Sequence, residues 1–411
     1  MNKGAGRVAW VTKRLGDITT KIGSGATPLG GEEAYKESGI CLIRSLNVHD
    51  WGFKEAKLAH IDDAQASRLS NAVVEANDVL LNITGASVAR CCLAPPEFQP
   101  ARVNQHVSII RPAQDHLLPA FLHYLLISKT YKDRLLDTGE DGGSTRQAIT
   151  KAQIQEFRVE FPESLTEQRR IVGILDEAFD GIATAKANAE KNLQNARALF
   201  EGHLNAVFTQ EGQGWVQKRL GDICHKITDG THATPTYTKS GVPFLSVKDL
   251  TKGFIDFSDT RFISLEDHQA LTKRCKPAKN DVLYTKVGTT GVAQVVDVDR
   301  EFSIFVSVAL LKINHDIVYN SYLEHFLNAP YAREQARQRT RGMANKNLVI
   351  TDIKEIVVHF PKSLDQQRTL VTELDALRAE TQRLESIYHQ KLAALEALKK
   401  SLLDQAFTGA L

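Results

Sequence analysis

"KRLGDITTKIGSGATP" (Lys13–Pro28) and "KRLGDICHKITDGTHATP" (Lys218–Pro235) are nearly the same phrase, written twice in one chain. Their separation is far longer than the period of about 20–50 residues that marks a solenoid or propeller, and suits a domain plus an appendage. Moving outward, the two halves keep matching in order. "SGICLIRSLNV" (38–48) answers to "SGVPFLSVKDL" (240–250), and "NDVLLNITGASVARCCL" (77–93) to "NDVLYTKVGTTGVAQVV" (280–296). "HVSIIRP" (106–112) answers to "SVALLKI" (307–313), and "LPAFLHYLLISKTYKDRL" (118–135) to "YNSYLEHFLNAPYAREQA" (319–336). The tightest match is "FPESLTEQRRIV" (161–172) with "FPKSLDQQRTLV" (360–371). Collinear matches of this kind indicate a duplicated unit.

The local chemistry of each match is readable. "NDVLL" and "NDVLY" are an Asx-type turn followed by a short apolar strand, and Gly85 and Gly288 end those strands in turns. "CLIRS" (41–45) and "PFLSV" (243–247) read as buried strands. Residues 118–135 carry Leu and Phe at helical spacing, with late Lys and Arg that suit a helix C-terminus. Each half therefore opens with a globular α/β unit of roughly 150 residues.

Each half closes on a long helix. "SLTEQ" (164–168) and "SLDQQ" (363–367) are helix-start signals. Behind them, apolar residues recur at Ile171, Leu175, Ala178, Ile182, Ala185 and Ala189, and at Leu370, Leu374, Leu377, Leu384, Tyr388, Leu392, Leu395 and Leu402. This is a heptad-like seam whose phase slips near Tyr388. The predicted helix-pair core is Ile171, Leu175, Ile182, Leu370, Leu374, Leu377, Leu384 and Leu395. A helix of about 44 residues is about 66 Å long, and matched length with high effective concentration favours pairing within the chain. The expected fold is α+β: two similar globular α/β units separated by two long helices that pair as an antiparallel coiled coil with pseudo-two-fold symmetry. The expected segments are 1–161, a helix over 162–212, 213–361, and a helix over 362–411. Antiparallel helices in this order make a dumbbell with two heads at a fixed separation. Such a reader suits duplex DNA, where half-sites lie about 34 Å apart per helical turn. Because the loops of the two heads differ, the expected target is two different half-sites around an unread spacer.

The bulk numbers set bounds. The 411 residues suffice for two or three domains. The net charge of +2 gives no global basic signal, so any polyanion binding comes from local patches. The five cysteines, Cys41, Cys91, Cys92, Cys224 and Cys275, are odd in number and form no C-x-x-C pair, which argues for a reducing compartment without a disulfide framework or zinc site. The N-terminus lacks a signal-type apolar region, and runs such as "FLHYLLI" (121–127) are too short to span a bilayer. A cytoplasmic protein with no membrane partner is expected.

The ordered duplicates resemble the specificity subunit of Type I restriction–modification systems over essentially the whole chain. The resemblance rests on the repeated "LGDI…G…TP" opening, the "NDVLL/NDVLY" strand, the paired "FP-x-SL-x-x-Q" junctions and the terminal "LLDQAFTGAL". It implies two target-recognition domains, each reading one half of a bipartite double-stranded DNA site. It implies spacer helices that dock two methyltransferase subunits, which hold S-adenosylmethionine and methylate adenine at N6. A restriction and translocase subunit accompanies them where the system has one. The second opening is two residues longer than the first, so that loop does not align residue by residue.

Catalytic signatures are missing. "APPEF" (94–98) lacks the Asn or Asp of an amino-methyltransferase loop, "GSGATPLGG" (23–31) lacks the third glycine of a dinucleotide fingerprint, and no metal set is visible. His106 reads as a core or surface residue. The chain is expected to be non-catalytic, without a bound cofactor or metal. Base-reading side chains concentrate in polar loops after strands. In the first head these are Arg44, Asn47, Thr84, Ser87, Arg90, Ser144, Thr145, Arg146 and Gln147. In the second they are Lys248, Lys286, Thr289, Thr290, Arg339, Arg341, Asn345, Lys346 and Asn347. A protein-interaction scaffold is the competing reading, and it lacks the steep salt dependence of a duplex binder.

Overall fold

The computed structural model describes residues 9–140, 148–210, 214–342 and 346–408. They form two compact units, one built from residues up to Ala189 together with Lys391 onward, the other from Glu190–Gln390. Each unit thus takes in one head and a part of each of two long helices, Leu165–Thr209 and Leu364–Ala406.

In the first head, Trp10–Arg14 pairs antiparallel with Arg158–Pro162, so the first strand is clasped by the last before the long helix. A four-stranded antiparallel sheet follows the order Thr19–Ser24, Val107–Pro112, Val79–Asn82, Cys91–Leu93. A second sheet contains a parallel pair, Ile40–Ile43 with Ala101–Val103. The second head repeats the plan. Trp215–Arg219 pairs with Val357–Pro361, the four-stranded sheet runs Cys224–Asp229, Val308–Ile313, Val282–Thr285, Ala293–Val295, and Val242–Leu245 pairs parallel with Ser303–Ile304.

The repeated "ND" turn shows why the duplicated residues fold alike. Asn77 and Asn280 take φ of 66° and 72°, a left-handed conformation that Asn tolerates better than most residues. The next residue closes the turn with its carboxylate. Asp78 accepts from the Glu75 N–H (2.7 Å) and Asp281 from the Ala278 N–H (2.8 Å). A cation on the neighbouring strand then neutralises each buried carboxylate: Arg111 at 2.7 Å and Lys312 at 2.6 Å.

The junction motif acts as a latch. Gln168 and Gln367 are fully buried. Gln168 donates to the carbonyls of His116 (2.9 Å) and Pro162 (2.8 Å) and accepts from the Leu118 N–H (2.9 Å). Gln367 repeats the set with Ile317, Pro361 and Tyr319. About two turns further on, Asp176 accepts from the Tyr124 hydroxyl (2.5 Å), and Asp375 is bonded to His325 (2.7 Å). The helix ends dock with aromatic rings. Phe407 meets Phe121 edge-on at 5.3 Å in the first unit, and Phe208 meets Tyr322 at 5.3 Å and Phe326 at 5.4 Å in the second.

Each unit therefore contains the start of one long helix and the end of the other, running antiparallel. Lys186 pairs with Glu396 (2.6 Å) in the first unit and Arg197 with Glu385 (3.1 Å) in the second. The step from Lys186 to Arg197 equals the step from Glu396 back to Glu385, so each unit has the same antiparallel register.

Two details depart from the sequence reading. The single helix expected over 118–135 is two, Pro119–Ile127 and Lys129–Glu140, because Ser128 is extended and caps the first with its N–H and hydroxyl. The leucine seam is also not evenly buried. Ile171, Leu175, Ile182 and Leu374 are buried within head cores, and Leu370 and Leu395 pack against those cores. Leu377 and Leu384 are only half-buried. Two helices alone cover the centre of an apolar stripe, and burial is most extensive where a head adds a third surface. Phe179, Leu193 and Ala196 are buried positions that the seam reading missed.

Candidate nucleic-acid interface

The sequence-predicted loops converge in each head. In the first, the Asn82 side chain donates to the Ser45 carbonyl (2.9 Å), the Ile83 N–H to His106 O (3.0 Å), and the Ile149 N–H to Ile83 O (2.8 Å). The loops that follow Ile43 and Asn82 and the stretch Ala148–Ile149 thus meet around His106. In the second head the Val247 N–H donates to the Ser307 hydroxyl (3.1 Å), Lys286 N–H to Ser307 O (2.9 Å), Leu348 N–H to Lys286 O (2.7 Å) and Gly288 N–H to Lys346 O (3.0 Å). The corresponding three loops meet around Ser307, which is the partner of His106 in the repeat.

Individual assignments fare differently. Asn47 is fully buried, accepting from the Arg44 N–H (3.0 Å) and donating to the Lys54 carbonyl (2.8 Å). It builds the loop and has no surface left for a base, which corrects its assignment as a contact. Asp249 does the same work in the second head, accepting from the Ser246 N–H (2.7 Å). Lys286 is likewise corrected: it is 5% exposed and paired with Asp229 at 3.2 Å. Arg44 is largely engaged, by Glu32 (2.8 Å), the Lys57 carbonyl (2.7 Å) and the Tyr35 ring (5.1 Å).

Thr84 is bonded to His106 Nδ1 at 2.5 Å. Ser87 and Arg90 lie beside it, half-buried, and the Arg90 side chain has no polar partner among the described residues. In the second head Lys248 rests on Asp259 (2.9 Å), Thr289 is exposed, Thr290 meets Thr340 (3.2 Å), and Arg339 donates to Gln335 O (3.1 Å). Arg341 and Asn347 exchange backbone hydrogen bonds at 2.9 and 2.8 Å, and the Arg341 guanidinium meets Asp352 at 3.0 Å. Lys346 is exposed, and its side chain has no polar partner among the described residues. Ser144, Thr145, Arg146, Gln147 and Asn345 lie outside the described residues.

The structure adds residues that sequence reasoning passed over. In the first head Thr27 donates to the Gln105 side chain, whose amide meets His106 Nε2 at 3.0 Å, extending the Thr84–His106 pair into a polar chain. In the second head the same region is aromatic. Tyr237, Phe244 and Phe305 line a cavity of about 450 Å³. The collinear match of His106 with Ser307 was the available signal, since the two heads differ in chemistry there within a shared frame.

Burial pushes the Cys92 and Cys224 thiols up to about 12 and Cys275 to about 11, so they stay protonated at neutral pH. Among the described residues no helix is long and apolar enough to cross a membrane.

Fold and duplicated loop clusters define a tandem pair of recognition domains. The Type I restriction modification DNA specificity domain matches the chain twice, over residues 7–194 and 212–396. The chain belongs to that family, the DNA-recognising specificity subunits of Type I restriction–modification systems. It is 25% identical to the Escherichia coli Type I restriction enzyme EcoBI specificity subunit over 76% of this chain and 70% of that protein. It is 23% identical to the EcoKI specificity subunit of Escherichia coli strain K12 over 98% of this chain and 89% of that protein. The fold is shared with a chain from a structure of the type I R-M system (TM-score 0.77, 19% identity, 98% of both chains). It is also shared with the HsdS subunit from Thermoanaerobacter tengcongensis (TM-score 0.67, 20% identity, 100% of both chains).

Proposed function

We propose that this chain is the non-catalytic reader of a bipartite, asymmetric DNA site, with one half-site read by each head. The two long helices set the unread gap and dock two adenine-N6 methyltransferase subunits, which bring S-adenosylmethionine; a restriction subunit joins through the same assembly. The observation that supports this most directly is the loop convergence. Segments from three separate parts of the chain meet at corresponding places in both heads, around His106 in one and Ser307 in the other. A common frame carrying different side chains is what two different half-sites require.

The test is a long-read methylome of cells that carry the cognate methyltransferase subunit, with and without this chain. N6-methyladenine is expected only with the chain, in one motif of two fixed halves and a constant gap. A soluble complex that methylates no chain-dependent motif overturns the reading and leaves a protein scaffold in its place.

A further inference from the structure

We infer that the second head holds a receptacle for a single nucleobase turned out of the duplex, at a position other than the methylated adenine. The inference rests on the reading of the heads as DNA readers. The cavity of about 450 Å³ opens between Ser246–Lys248 and Val287–Gly288, two of the three loops that converge on Ser307. Its volume lies at the lower end of the range of about 300–1,000 Å³ spanned by small-molecule pockets. It admits one planar ring system and excludes a duplex.

The lining is suited to stacking. Phe244 is buried, with the Tyr237 and Phe305 rings each 6.0 Å from it. Tyr237 remains 36% exposed and Phe305 half-buried, so aromatic surface is left uncovered inside a concavity. The Arg261 guanidinium sits 4.3 Å from the Tyr237 ring centroid and holds that ring in place. Every base presents a π-face to such a platform. At the rim Gly288 takes φ of 79°, which brings backbone rather than side chain to the edge. In the first head the corresponding place is filled by the Thr84–His106–Gln105 chain, which suits hydrogen-bonded readout of a paired base. The two heads would therefore read by different means.

Extrusion costs the energy of unpairing, and that cost is least for a mismatched base. The test is an affinity scan with the complete complex of this chain and its methyltransferase subunits. The probes are duplexes of the methylated motif that carry one mismatch at each position of the second-head half-site in turn. One non-methylated position is expected to bind roughly tenfold tighter when mismatched, an effect of about 1.4 kcal/mol. That gain is expected to vanish in Tyr237→Ala and Phe305→Ala and to persist in Tyr237→Phe. A flat scan over the non-methylated positions overturns the receptacle, as does a gain that survives Tyr237→Ala, and either leaves DNA reading intact. A wild-type complex that binds motif and scrambled duplex equally overturns the reading of the heads themselves.

Discussion

A buried amide decides how each long helix leaves its head. Gln168 and Gln367 each satisfy two carbonyls and one N–H that strand ends and helix starts would otherwise bury unpaired. Removing the amide strands those groups, so Gln367→Ala is expected to lower the unfolding free energy by about 2–4 kcal/mol. The exposed neighbour Gln366→Ala should change it by less than about 0.5 kcal/mol, with urea titration of both variants as the check. Glu324 carries a second residue-scale expectation. Burial pushes its carboxyl up to about 7; Arg378 and a bond from the Val295 backbone oppose the rise, while Asp375 and Asp297 add to it. A folded value above the usual 4.5 means the native state holds a proton that the unfolded chain has released. The stability linked to that proton is full below the usual value and lost as the pH rises through about 7. His325 beside it shifts the other way, lowered chiefly by burial while Asp375 opposes, so the carboxyl must be isolated by substitution. Glu324→Gln should gain on wild type by about 2 kcal/mol between pH 5 and pH 8 in urea titrations; parallel curves would refute the assignment. On the DNA side, Arg90 lies in the converging loops and its side chain has no polar partner among the described residues, and Arg90→Ala is expected to weaken duplex binding by about 1–3 kcal/mol if it reads a base. Filter binding at fixed salt decides it, and unchanged affinity removes Arg90 from the interface.

At the scale of elements, the helix pair is held by its buried ends more than by its charges. Lys186–Glu396 and Arg197–Glu385 join largely exposed side chains, and such pairs contribute about 0.2–1 kcal/mol. Leu374 is fully buried against the second head, where truncation to alanine costs about 2–5 kcal/mol. A double-mutant cycle on Arg197→Ala and Glu385→Ala should give a coupling below about 1 kcal/mol, with Leu374→Ala well above it; the reverse order would make the ion pairs the main clamp. Much of this architecture was legible because duplicated motifs fall where the backbone itself demands particular residues. Asn77 and Asn280 occupy left-handed turns, and the "FP-x-SL-x-x-Q" junction spells out a clasping strand, a helix start and the buried latch. What was not legible depends on direction. Polarity alone does not reveal that Asn47 turns back on its own loop or that Lys286 turns inward to Asp229. Apolar residues continue at helical spacing across Ser128, through Ile127, Tyr131 and Leu135, so the break between two helices leaves no trace in that pattern. Tyr237 lies just beyond the stretch where the two openings differ in length, and its neighbours in the cavity come from distant segments.

For the whole chain the connectivity carries the argument. The helix Leu165–Thr209 begins at the Gln168 latch of the first head and ends with Phe208 in the core of the second. Leu364–Ala406 begins at the Gln367 latch of the second head, and Phe407 just beyond its end packs on the core of the first. On the proposed function, the gap between half-sites is a property of these helices alone, and the half-sites are a property of the heads. The two can therefore be changed separately. Four residues inserted into each helix, at positions facing one another in the Lys186–Glu396 register, lengthen the pair by about 6 Å. Duplex DNA rises about 3.4 Å per base pair, so the insertion corresponds to between one and two pairs. The methylated motif is expected to keep both halves and widen its gap by one or two base pairs. The same insertion in a single helix breaks the antiparallel register, and motif-dependent methylation should fall sharply. A paired insertion that leaves the gap unchanged would show that the heads, not the helices, set the spacing. Altered half-sites would show that the insertion had disturbed the latches at Gln168 and Gln367, and parallel urea titrations of the variant and wild type separate that outcome from a true change of spacing.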